Sequence, residues 1–150
     1  MLVKYRQLEE LFRRSVGMDL TKNKAKEILD FVEKKLHDLL VIGERNAGYN
    51  DRDVIWLADV PITKGLRESI RQFQEIEMEE QIELDPILER LATFPPLKFP
   101  LEVELENDLP NIVGGLLLVF AKTLSVITHE ARAFDMDDLE RAKRVLDLTL

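Results

Sequence analysis

The chain has 150 residues, of which 45% are apolar and 33% charged, with no cysteine and a net charge of −8. That composition suits one globular domain with material for a core, and it excludes a disulfide framework, a thiolate metal site and a cysteine nucleophile. The charge is uneven: residues 1–74 hold 14 Lys and Arg against 12 Asp and Glu, while residues 75–150 hold 7 against 17. Proteins that coat nucleic acid carry a clear positive surplus, so only the first half is a candidate for that role.

Met1-Leu2-Val3 passes directly into Lys4, Tyr5 and Arg6, without the pattern of a cleavable signal. The most apolar run, Ile112 to Ala121, is short of the roughly 20 residues that span a bilayer. A cytoplasmic protein with a buried core helix, and no membrane partner, is expected.

The first predicted element is a short helix, about Lys4 to Val16, with a stripe of Leu8, Leu11, Phe12 and Val16 and a stop at Gly17. Met18-Asp19-Leu20 forms a brief loop, and Thr21 can cap the next helix. From Lys22 to Asn46, apolar residues fall at Ala25, Ile28, Leu29, Val32, Leu36, Leu39, Leu40 and Gly43, the spacing of a long amphipathic helix. Asn46-Ala47-Gly48 supplies its expected stop. At 1.5 Å per residue this rod is ~37 Å long, so its apolar stripe needs a partner of similar length.

Gly48 to Asp51 is a turn cluster, and Val54-Ile55-Trp56-Leu57 reads as extended, with Trp56 in the core and base stacking as the alternative. A third helix is predicted with Asp59 near its cap, Pro61 in its first turn, and Ile62, Leu66, Ile70 and Phe73 inside. Glu75 to Glu83 is an acidic continuation or linker.

The second half repeats the plan. Leu84 to Phe94 is a short helix with Asp85 as cap and Pro86 at its first position, and Pro95, Pro96 and Pro100 then enforce an extended connection. A second long helix, from Asp108 to Ala131, starts somewhere between Glu102 and Asp108 and carries Ile112, Leu116, Val119, Phe120, Leu124 and Ile127. Pro110 lies in its first turn or kinks it. Gly114-Gly115 suggests a close approach where the two long helices cross. After a short extended piece at Ala133-Phe134, Asp135 or Asp137 caps a last helix with Leu139, Ala142, Val145, Leu146 and Leu148. An offset of about 80 residues pairs Leu8 with Leu88, Val32 with Ile112, Leu36 with Leu116 and Leu40 with Phe120, an internal duplication with halves 1–75 and 76–150.

The stretch Arg52-Asp53-Val54-Ile55-Trp56-Leu57-Ala58-Asp59-Val60 resembles the second loop and third-helix start of the histone fold. There an arginine precedes an extended apolar segment and an aspartate follows seven residues on. Together with the helix lengths, the resemblance covers the whole chain as an all-α protein of two tandem histone folds. Glu44-Arg45-Asn46-Ala47, Tyr49 to Asp53 and Pro61 to Leu66 are similar to a small bacterial family with two such folds in one polypeptide. The resemblance implies an intramolecular handshake between the long helices, a monomeric pseudo-dimer, and an ion pair between Arg52 and Asp59.

The family's DNA chemistry places loop arginines in the minor groove and aims helix N-termini at phosphates. Arg52 matches the loop arginine. Its usual threonine partner is Val54 here, Asp53 stands where archaeal histones tend to carry lysine, and Asp51 flanks it. In the second copy Arg132 is one residue out of register and is followed by Asp135, Asp137 and Asp138, a loop hostile to DNA. The first half is friendlier, with Lys22, Lys24 and Lys26 at the start of the long helix and Arg13 and Arg14 just before. A solvated charged face is the competing account of these five.

Other candidates are weaker. His37 and His129 precede carboxylates without zinc spacing, and Glu79-Glu80 and Glu102, Glu104 and Glu106 read as solvated acidic faces. No phosphate-binding glycine motif or nucleophile elbow is present in the sequence, so neither a cofactor nor an enzymatic activity is expected. Three functions remain: a weak, non-specific DNA-binding protein acting through the first-half cations, an interaction module whose acidic second half meets a basic protein, and, as the least supported, an enzyme that no motif reveals.

Overall fold

The computed structural model describes residues 3–84, 86–130 and 132–150. Among them are six α-helices, α1 (Tyr5–Val16), α2 (Lys22–Tyr49), α3 (Lys64–Glu79), α4 (Ile87–Leu91), α5 (Val103–Ile127) and α6 (Met136–Thr149). A single 3₁₀ turn, Leu57–Asp59, precedes α3, and β pairing among the described residues is limited to isolated bridges.

α1 ends where Gly17 takes a φ of +70°, a left-handed conformation that side chains disfavour. Thr21 then caps α2, its hydroxyl accepting the Lys24 N–H at 3.3 Å. The predicted stripe of α2, from Ala25 to Gly43, is buried throughout. The helix overruns its predicted stop and reaches Tyr49, because Ala47 is still packed in the interior. The chain turns only at Asp51, with a φ of +57°, a conformation aspartate tolerates better than most residues.

α3 begins later than predicted. Val60 precedes Pro61 and is therefore pushed to an extended conformation, with ψ 126°, which breaks any helix between Asp59 and Pro61. Asp59 closes the 3₁₀ turn, and Thr63 caps α3 by accepting the Leu66 N–H at 3.2 Å. Trp56 is 44% exposed, so the core position belongs to its neighbour Ile55.

α5 occupies the centre and packs against α1, α2, α3 and α6. Pro110 lies inside it rather than in its first turn. A mid-helix proline removes one hydrogen bond and costs about 3 kcal/mol, yet Leu105, Leu109, Ile112 and Val113 around it are all buried, and each such side chain contributes roughly 1.5–3 kcal/mol. The helix is longer than its ten-residue apolar run suggested. By length and composition alone it could cross a membrane, but four helices cover it and 56% of its most apolar window is buried in the fold.

The two long helices touch through Phe31 and Phe120, whose rings meet edge to face at 5.3 Å. Gly114 and Gly115 serve a different contact from the one expected. They lie under α3: a Cβ on Gly114 would fall 2.2 Å from the Phe73 ring, and one on Gly115 2.4 Å from Ile70. In α2, Gly43 instead faces Ile55 and Val60.

Two charged residues interrupt the buried face of α2, and both are paired. Glu33 receives a two-pronged contact from Arg90 at 2.9 and 3.1 Å, tying α2 to α4. Lys35 donates to Asp147 at 2.8 Å, tying α2 to α6. α4 is shorter than the predicted Leu84–Phe94, with Pro86 at its cap; the predicted cap Asp85 lies outside the described residues. Ile87 fills the interior there, while Leu88, the match of Leu8 in the duplication, is exposed. α5 ends at Ile127, short of the predicted Ala131, itself outside the described residues. α6 starts at a reciprocal cap, Asp135 accepting the Asp138 N–H at 2.8 Å and Asp138 the Asp135 N–H at 3.2 Å. Its Val145 and Leu148 face solvent.

Candidate nucleic-acid interface

Loops from the two halves meet beyond both ends of α2. Past its C-terminal end, Ile55 forms a parallel bridge with Leu101: the Ile55 N–H donates to Pro100 O and the Glu102 N–H to Ile55 O, each at 2.9 Å. Before its N-terminal end, the Asp19 N–H donates to Arg132 O at 2.8 Å. Each end joins a first-half loop to a second-half loop and brings its own charges.

At the C-terminal end, Arg52 is consumed by structure. Its guanidinium donates to both Asp59 carboxylate oxygens, at 2.6 and 2.7 Å, and to Val54 O at 3.3 Å, and it lies 3.6 Å from the centre of the Trp56 ring. Asp59 also accepts the Trp56 N–H at 2.7 Å, while Asn46 donates to the Asp59 carbonyl at 2.9 Å and fastens the turn to α2. The Arg52 hydrogen bonds hold the Asp59 carboxyl below its ordinary pKa, against the opposing effect of burial. Asp51 and Asp53 flank Arg52 in sequence, and Glu102 and Glu104 line a cavity with Trp56, so carboxylates near Arg52 oppose an approaching phosphate.

The N-terminal end holds the other five predicted cations, but they do not form one free cluster. Arg13 sits among Glu9, Glu10 and Asp19 at 3.7–3.8 Å, and Arg14 pairs with Glu79 and Glu80. The Lys24 ammonium donates to Phe134 O and rests over the Phe134 ring at 4.7 Å. Lys22 and Lys26 are exposed and have no ion pair among the described residues; the same is true of Arg132 across the loop contact. Asp135 and Asp138 each accept the other's backbone N–H, which orients the two carboxylates without removing their charge, and Asp137 is exposed between them.

His37 stacks on Phe94 and its Nε2 lies 2.9 Å from Pro95 O, and no cluster of metal-ligating side chains occurs among the described residues. Sequence reasoning missed Lys122, a cation within the most apolar helix. Its ammonium donates to the buried Ser69 hydroxyl at 2.9 Å, and burial lowers its pKa. It also missed Glu33 and Lys35; their signal was a charge falling on the buried side of the α2 stripe.

An Aquifex aeolicus protein described as uncharacterised is 36% identical over 126 residues, which cover 84% of this chain and 72% of that protein. A second from the same organism is 32% identical over 134 residues, covering 85% and 80%. Among solved structures, a Thermus thermophilus protein aligns over the full length of both chains with a TM-score of 0.91 and 40% identity. An Aquifex aeolicus protein aligns over 97% of this chain and 95% of its own, with a TM-score of 0.78 and 31% identity. Residues 8–147 match the family described as a domain of unknown function, DUF1931, and the chain belongs to that family.

Proposed function

We propose that the chain is a tandem histone fold, closed on itself as an intramolecular handshake, which binds DNA weakly and without sequence preference at the N-terminal end of α2. The handshake is supported by the loop pairings at both ends of α2 and by the Phe31–Phe120 contact between the long helices. Joining the halves covalently gives each a high effective concentration of the other, so folding needs no second chain. On this reading the protein is a non-enzymatic cytoplasmic one.

The observation that carries the DNA reading is that Lys22 and Lys26, near the start of α2, and Arg132, whose carbonyl accepts the Asp19 N–H of the loop before that helix, are exposed and have no ion pair among the described residues. Three cations are few. About three phosphate contacts give a slope of log affinity against log salt near −2.7, so binding belongs to low ionic strength. A gel-shift series across salt tests this. Lys22→Glu with Lys26→Glu is expected to abolish a low-salt shift, whereas Lys24→Glu would also disturb the Phe134 loop and is less diagnostic. Retention unchanged by the double reversal would reject the patch. The second reading, an interaction module for a basic protein, is favoured by the 17 acidic residues of the second half and the full internal use of Arg52. Absence of any shift at low salt, with capture of a basic protein, would select it.

A further inference from the structure

We propose that copies of this chain associate head to tail, a basic apolar depression on α6 of one copy receiving the acidic apolar rim at the start of α5 of the next. The depression is lined by Ile127, His129, Arg141, Arg144, Val145 and Leu148. Residues 141, 144, 145 and 148 fall on one face of α6 by helical spacing. Leu148 is 88% exposed, and the adjacent Val126 84%. Lys143, turned the other way, is paired with Glu27 and Glu140 at 2.9 and 3.1 Å. Arg141 and Arg144 have no ion pair among the described residues, although they lie in the strongly acidic half.

The complementary surface is at the other end of α5. Trp56, Leu57, Glu102, Glu104 and Asp108 line an open cavity there, and Val103 beside it is 70% exposed. Arg67 also borders the cavity, leaving an excess of two negative charges against the two arginines of the depression. Each surface therefore offers exposed apolar side chains with the charge that the other lacks. Pairing either surface with itself would set arginine against arginine or carboxylate against carboxylate, which disfavours a two-fold dimer. The surfaces are separated by the length of α5, roughly 37 Å at 1.5 Å per residue, so a molecule cannot satisfy its own pair. A contact between unlike surfaces extends as an open chain unless its rotation closes a ring. The contact is small and charged, so the assembly is weak and salt-sensitive.

Sedimentation velocity of the full chain tests the proposal. The wild type is expected to gain mean mass with concentration at low salt and to lose that gain at high salt. Arg141→Glu with Arg144→Glu, and separately Glu104→Lys with Asp108→Lys, should each lower the association constant roughly tenfold or more. Mixing the two variants in equal amounts should restore association, because each then carries the complement of the other. Unchanged thermal melts would show that both variants fold. A wild type that stays monomeric at high concentration and low salt overturns the proposal, as does a mixture that fails to associate. Self-association surviving both reversals would assign it to another surface. DNA binding through Lys22 and Lys26 is independent of all these outcomes.

Discussion

Gly114→Ala is expected to destabilise the protein by about 3 kcal/mol. In an ordinary helix interior the same change stabilises by up to about 1 kcal/mol, since alanine restricts the unfolded chain and glycine does not. The sign is reversed here by geometry. The new Cβ would lie 2.2 Å from two carbons of the Phe73 ring, and Phe73 is fully buried. α3 would have to lift off α5, opening the contact that also holds Ser69 against Lys122. Gly48→Ala is the control: its Cβ meets only Phe99, at 3.8 Å, so a neutral or slightly stabilising effect is expected. Thermal or urea unfolding of both variants measures the contrast. Phe73→Ala should itself be costly, but combined with Gly114→Ala it should cost less than the sum, because the small ring substitute makes room for the methyl. Additive losses, or a Gly114→Ala variant as stable as the parent, would show that α3 does not press on this part of α5.

Why some of this was legible in the sequence and some was not depends on the range of each interaction. The α2 stripe and the Thr21 and Asp135 caps depend on residues three to seven apart, and periodicity and side-chain type are enough to place them. The start of α3 was misplaced because Asp59 looks like a cap, whereas its carboxylate answers the Trp56 N–H of a tighter turn and Pro61 holds Val60 extended. The role of Gly114 and Gly115 was half legible: two glycines in an apolar helix announce a close approach, but not which helix approaches. The surroundings of the candidate cations were the least legible. Lys22, Lys24 and Lys26 look alike in sequence. Only the fold brings the Phe134 carbonyl and ring to Lys24, a residue 110 positions away, and leaves its two neighbours in solvent. Likewise Arg14 meets Glu79 and Glu80 across 65 residues or more, a pairing that no local pattern encodes. Charge in the sequence counts cations; partners across the fold decide which of them remain available to a ligand.

The second large effect belongs to Asp59. Asp59→Ala removes a buried carboxylate that satisfies two guanidinium N–H groups and the Trp56 amide, and it should lower stability by about 3 kcal/mol. For a domain of this size that corresponds to roughly 6–12 °C in Tm. Asp59→Asn keeps an acceptor for the Trp56 N–H but loses the charge, so it should fall between the alanine variant and the parent. The pH dependence separates charge from packing. The folded-state pKa of Asp59 is depressed below the ordinary value of 3.8 by its Arg52 hydrogen bonds. Its contribution is therefore fully present above the unfolded-state pKa and is lost as pH falls through the lower folded-state value. Below about pH 4 the parent should lose stability more steeply than Asp59→Asn, and the two curves should converge in acid; parallel curves would mean that the pair contributes shape and not charge. The same variants bear on DNA. If Arg52 serves only to fasten the loop, freeing it from Asp59 leaves DNA affinity unchanged under conditions where both proteins are folded. A gain in affinity would instead make the ion pair a restraint on a phosphate-seeking arginine, and would move the interface to the C-terminal end of α2.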